Sequence, residues 1–214
     1  MTFLKSPSSI EQKSFEIIRK ELGQRSWTEA ETRIITRMIH TTADFTFADI
    51  TEISPGAIEA AVTALRSGCH IVTDTNMAKA GVNRNMLERF GIGVSCFIDL
   101  PEVEETARSL GITRAMVAMR AASDDPRNRI FAVGNAPTAL FELISLHEQQ
   151  MINPAVVIGV PVGFVGATEA KEALRHTSIP YIITRGRKGG SNVAAAVVNA
   201  LLHLASNGEV EPQV

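Results

Sequence analysis

The stretch PAVVIGVPVGFVGA, residues 154–167, carries the reading of the fold. It begins as a continuous apolar run, and five of its residues are Gly or Pro. A membrane-spanning helix needs about 20 apolar residues, so this run is too short and too often broken to be one. It reads instead as a strand buried on both faces at 155–160. That strand passes into a glycine-rich loop at 159–166 and then a helix near 167–177.

The same rhythm extends in both directions. Short apolar runs at 70–73, 94–98, 130–133 and 181–184 alternate with helical patterns near 83–90, 101–121, 137–150 and 190–206. This alternation predicts a three-layer α/β/α fold with a mainly parallel central sheet of about five strands. Residues 1–68 read as an N-terminal helical extension and 69–206 as alternating β/α, together one domain over 1–214. In the extension, Ser9 with Gln12 forms a capping-box pattern ahead of Ile10, Ile17, Ile18 and Leu22, and Gly23 is the stop. Thr28 with Glu31 opens a second helix to about Thr41. Ser54 and Pro55 introduce a third over 57–66, ending at Gly68.

Composition narrows the function. Hydrophobic residues are 45% and charged residues 21% of the 214, which excludes disorder and a disulfide scaffold. The 21 basic and 23 acidic residues leave a net charge of −2. Such a balance supplies no global field for nucleic acid, so anion binding must come from a local cluster. Cys69 and Cys96 stand singly and read as reduced thiols. The opening residues MTFLKSPSSIEQ lack the apolar core of a signal peptide, and the expectation is a cytoplasmic protein without a membrane segment.

Four of the expected strands run into distinctive loops: DTNM at 74–77, GNAPT at 134–138, GVPVGFVG at 159–166 and RGRKGGS at 185–191. In open α/β sheets, ligands bind beyond the carboxyl ends of the strands. Glycine turns into helix N-termini also offer N–H groups to anions. Each loop alone is a tight turn, but four at one edge point to a ligand site. Arg187 and Lys188, beside Arg185, add local positive charge. No GxxxxGK[ST] or GxGxxG nucleotide signature occurs, nor HExxH, GxSxG or an EF-hand loop. The five histidines, at 40, 70, 147, 176 and 203, lack metal-ligand spacing. Glu102, Glu104 and Glu105 open a helix, where carboxylates favour the dipole.

The second helix holds another constellation. Arg33, Arg37 and His40 fall within about 60° of one another at helical spacing, opposite Ile34, Ile35, Met38 and Ile39. The apolar side must face the core, leaving a ridge of two arginines and a histidine facing outward. A solvated basic face is the plain reading of the arginines. A histidine with them suits acid–base chemistry on a multiply anionic substrate.

The strings RMIHTTADF (37–45), NMAKAG (76–81), GNAPTALF (134–141), IGVPVGFVGATEAK (158–171) and RGRKGGS (185–191) resemble the precorrin-8 methylmutases of cobalamin biosynthesis. The resemblance runs from about residue 10 to 202. It implies a homodimeric α/β isomerase that moves a methyl group from C11 to C12 of a multiply carboxylated tetrapyrrole, yielding hydrogenobyrinate or cobyrinate. It also implies that no nucleotide, metal or redox cofactor is needed, any cobalt belonging to the substrate. By the same resemblance His40 is the proton donor/acceptor in a [1,5]-sigmatropic shift, and Ser14, Arg37 and Arg114 contact substrate. Without that resemblance Ser14 is an unremarkable helix position. The string Thr41-Thr42-Ala43-Asp44-Phe45 resembles the cobalt-dependent branch more than the oxygen-dependent one; both precorrin-8 and cobalt-precorrin-8 remain open as substrate. The alternatives are a non-catalytic corrinoid-binding or hand-over protein serving neighbouring enzymes, and a nucleotide-dependent α/β enzyme. The apolar segment 193–204 is the candidate dimer surface.

Overall fold

The five apolar runs become strands of one sheet: β2 (His70–Thr73), β3 (Val94–Ser95), β4 (Asn128–Val133), β5 (Val156–Gly159) and β6 (Tyr181–Thr184), all parallel. A sixth strand, β1 (Thr51–Ile53), pairs antiparallel with β6 at the edge, giving the order β1-β6-β5-β4-β2-β3. The computed structural model describes residues 6–206. Residues 1–5, part of the opening stretch read for a leader, lie outside the described residues. β1 escaped the sequence reading because it is only three residues long and carries a charge at its centre: Glu52 accepts from Arg175 and from the Tyr181 hydroxyl.

The strands bury both faces, as their unbroken apolar character requires. Ile71, Ile130, Ile158 and Ile182 point into one layer; Val72, Phe131, Val157 and Ile183 point into the other. The first layer is filled by α1 (Pro7–Leu22), α2 (Glu29–Thr42), α4 (Ala57–Arg66), α6 (Arg84–Phe90) and α11 (Ser191–Ala205). The second is filled by α7 (Pro101–Leu110), α8 (Arg114–Ala122), α9 (Pro137–Glu148) and α10 (Ala167–Arg175). Each fully buried Ile, Leu or Phe contributes about 1.5–3 kcal/mol, so the two layers supply most of the driving force.

The local signals mostly hold. The Thr28–Glu31 capping box is formed in both directions, at 3.2 and 2.7 Å. The Ser9 box is not. Pro7 occupies the first helical turn behind Ser6, so Ser9 is already inside α1. The single helix expected at 101–121 is two: Gly111 adopts a left-handed conformation (φ 64°) and Thr113 recaps α8. Two short helices, α3 (Phe47–Ile50) and α5 (Asn76–Gly81), were unforeseen. Finally, the apolar face of α11 is spent inside the chain. Val193, Ala194, Val197, Val198, Leu201 and Leu202 are all buried against the first layer, which removes that segment as a dimer surface. Among the described residues, no helix is long and apolar enough to cross a membrane.

Candidate active site

All four distinctive loops emerge at the carboxyl edge, after β2, β4, β5 and β6. The chain moves outward from β2 to β3 and then returns to place β4 on the other side of β2. The topological switch point, where such folds usually bind ligands, therefore lies between β2 and β4. Here the crevice is closed from within. Asp74, 2% exposed, accepts the backbone N–H groups of Gly134, Asn135 and Ala136 at 2.8–2.9 Å. Burial raises the Asp74 pKa, against the three N–H bonds that lower it. The N–H groups expected to cradle an external anion thus hold the chain's own carboxylate.

The glycines have a related explanation. A Cβ on Gly134 would lie 2.6 Å from Ser191 Cα, and one on Gly189 only 2.0 Å from the Val160 carbonyl oxygen. Neighbouring loops interlock through backbone: Gly190 N–H donates to Val160, Val162 N–H to Gly134 and Gly163 N–H to Arg187. The glycines permit that approach rather than a phosphate's.

Side chains are what these loops leave to solvent. Phe164 and Val165 are 83% and 90% exposed, with Met77 and Val162 also exposed. The Arg187 guanidinium lies 5.4 Å from the Phe164 ring centroid. The edge therefore presents an apolar surface with a cation on it.

His40 and Arg37 stand on α2, whose C-terminus reaches the same edge. Their apolar neighbours Ile34, Ile35, Met38 and Ile39 are buried as expected. The ridge faces outward as expected but is partly covered, because α1 crosses it at Arg37. Phe15 of α1 stands edge-on to the His40 ring at a 5.2 Å centroid separation, with the Arg37 guanidinium 5.2 Å from the same phenyl ring. Arg37 pairs with Glu11 at 3.3 Å; burial lowers its pKa, while Glu11 acts to raise it. Arg33 pairs with Glu29 at 3.1 Å. His40 itself is exposed. Ser14, beside Phe15, returns its hydroxyl to the Ile10 carbonyl at 2.8 Å.

Two loop cations are tied differently. Lys188 meets the Asp44 carboxylate at 2.5 Å and Thr46 Oγ1 at 2.8 Å, joining the last loop to the segment just after α2. Arg187 stays exposed. Arg114 is exposed at the start of α8, where Thr113 bonds Thr138 of α9 at 2.8 Å. It therefore sits at the same sheet edge but on the opposite layer from His40. Ser14, Arg37, His40 and, through Asp44, Lys188 gather on one side; Arg114 does not join them within one chain. Among the described residues, no three His, Cys, Asp or Glu side chains cluster as a metal site.

Sequence reasoning overlooked Phe15, Asp74 and Lys171. Lys171 gave a signal: it occupies an apolar-stripe position among Ala167, Ala170 and Leu174.

Residues 9–204 match the Precorrin-8X methylmutase family. The chain is 46% identical to the cobalt-precorrin-8 methylmutase of Salmonella typhimurium, over 95% of this chain and 98% of that one. It is 37% identical to the precorrin-8X methylmutase of Pseudomonas aeruginosa, over 93% and 96%. The solved precorrin-8x methyl mutase from Thermus thermophilus superposes with a TM-score of 0.85 at 40% identity, over 94% of this chain and all of that one. A family match over nearly the whole chain, on a doubly wound sheet with the same fold, establishes that this protein belongs to the precorrin-8X methylmutase family of isomerases.

Proposed function

We propose that the protein moves a methyl group from C11 to C12 of cobalt-precorrin-8 or precorrin-8, with His40 as the proton donor/acceptor. The observation that carries this reading is the exposed His40 ring held edge-on to Phe15, which also packs against Arg37. A macrocycle with apolar faces and a carboxylate rim matches an edge that offers Phe164, Val165 and Met77 beside Arg187. The 46% identity to the cobalt-named relative against 37% to the precorrin-8X one favours the cobalt form as substrate.

In this reading the proton lent by His40 makes the conjugated ring a better electron sink. The C11–CH3 bond breaks as the C12–CH3 bond forms, and the proton returns. No net electron leaves the substrate, so the step needs no redox partner; the reading likewise assigns no nucleotide or protein-bound metal, and any cobalt arrives with the substrate. Arg37, Arg114 and Arg187 meet peripheral carboxylates, with Ser14 and Lys188 at the margins. Arg114 lies across the sheet from His40, which suits a homodimer in which sites draw on two chains. The reading places the enzyme in the cytoplasm.

Visible spectroscopy of the protein with cobalt-precorrin-8 and with metal-free precorrin-8 tests it. A corrin-type spectrum should develop with time, faster with the cobalt form. An immediate shift that then stays constant would favour a corrinoid-binding or hand-over protein.

A further inference from the structure

Lys171 is a charged side chain in a place built for an apolar one. It lies in the buried stripe of α10 and is 1% exposed. Its Nζ donates to Thr184 Oγ1 at 3.1 Å and to the carbonyls of Gly186 and Lys188, each at 2.9 Å. An ammonium has three hydrogens, and these acceptors use all of them. All three belong to one segment, the end of β6 and the basic loop after it. The Thr184 hydroxyl donates to the same Lys188 carbonyl at 2.7 Å, so that carbonyl is gripped twice.

Burial pushes the Lys171 ammonium down to about 8. A leucine or methionine would fill the stripe without that opposition, so filling space does not account for the residue. What an apolar residue lacks is three donors aimed at a turn. Gly186 bends the loop at φ 76°, and with the carbonyls at 186 and 188 drawn inward, the side chains of Arg187 and Lys188 are exposed. Arg187 then reaches Phe164, while Lys188 reaches Asp44 beyond α2.

We propose that Lys171 is a positioning residue: from inside the fold it sets the turn 185–190, so that Arg187 is presented to an anionic substrate beside the helix carrying His40. This rests on the reading that the basic loop meets the substrate's carboxylates.

The test titrates the corrin product, cobyrinic acid, into Lys171→Met, Arg187→Ala and the double variant over a range of salt. Arg187→Ala should weaken binding roughly tenfold and flatten its salt dependence. Lys171→Met should do the same with kcat at saturation preserved. The double variant should bind about as Arg187→Ala does, since one residue acts through the other. A merely structural role would lower the active fraction and leave the salt slope intact. Wild-type binding by Lys171→Met, or losses that multiply in the double variant, would overturn the proposal. Wild-type binding by Arg187→Ala would instead sink the loop reading beneath it. Should Lys171→Met fail to fold, Thr184→Val removes one acceptor and the second grip on Lys188 at constant shape. It must weaken binding in the native background and not in Arg187→Ala, and an unchanged Thr184→Val also overturns the proposal.

Discussion

Lys188 and Asp44, 144 positions apart, are joined at 2.5 Å, and this pair fastens the last loop of the sheet to the end of the helix bearing Arg37 and His40. The bonds from Lys188 and Thr46 hold the Asp44 carboxyl at about 2, below its ordinary value near 3.8. The group is partly exposed, so its value to the fold is modest, but its geometric consequence is large. It brings a basic loop from after β6 alongside a histidine from the N-terminal extension.

Acid should release this tie. On lowering the pH, the unfolded chain protonates Asp44 first, near 3.8, while the folded chain holds it ionised to about 2. The stabilisation is therefore present above about pH 4 and lost as pH falls through 2. Urea melts of wild type and Asp44→Asn should differ at pH 5 and converge toward pH 2. A constant difference across that window would show that the pair does not act through the charge of Asp44.

Replacing His40 should separate chemistry from binding. His40→Asn keeps a polar side chain without a titrating ring, and turnover should fall about 10²- to 10⁴-fold. Because His40 is exposed and its ring stands at the surface against Phe15, the fold and affinity for the corrin product should survive. Stopped-flow absorbance reads the rate and titration reads the affinity; full turnover would remove His40 from the proton-transfer role.

The interlocked loops predict a steep penalty at one glycine and none at another. Gly189→Ala would drive a methyl into the Val160 carbonyl at 2.0 Å, costing at least about 2 kcal/mol of stability. Gly93→Ala meets nothing closer than the His70 ring at 3.8 Å and should stay within about 0.5 kcal/mol. Equal denaturation midpoints for the two variants would contradict the close approach.

Asp74 should matter for stability rather than for catalysis directly. Asp74→Asn offers only one acceptor oxygen to three N–H groups, one buried and two partly buried, so at least one is left facing an amide N–H. A loss of about 2 kcal/mol is expected in urea unfolding. A neutral result would mean that the switch-point crevice is not held by this carboxylate.

Much of this was legible in the residues. Continuous apolar runs at 130–133, 155–160 and 181–184 become strands because only a strand covered on both sides can bury neighbours pointing in opposite directions, as Ile182 and Ile183 do. The apolar side of α2 dictated which way Arg37 and His40 face. β1 was not legible: its three residues, with a glutamate at the centre, become a strand only because β6 offers an open edge. The helix break at Gly111 was also missed, since one glycine in a helical pattern is ambiguous until the next turn is recapped by Thr113.

The sequence by itself determined the alternating architecture, the carboxyl-edge placement of the four loops and the resemblance through which His40, Ser14 and Arg114 were named, because these are encoded in local periodicity and in strings. Only the tertiary structure decided what the loops do with their polar groups. Asp74 takes the N–H groups that looked free for a ligand, Lys171 takes the carbonyls of the basic loop, and Asp44 takes Lys188. These partners are 15 to 144 positions apart. A hydrogen bond depends on distance in space, and no spacing along the chain reveals which buried donor will meet which acceptor.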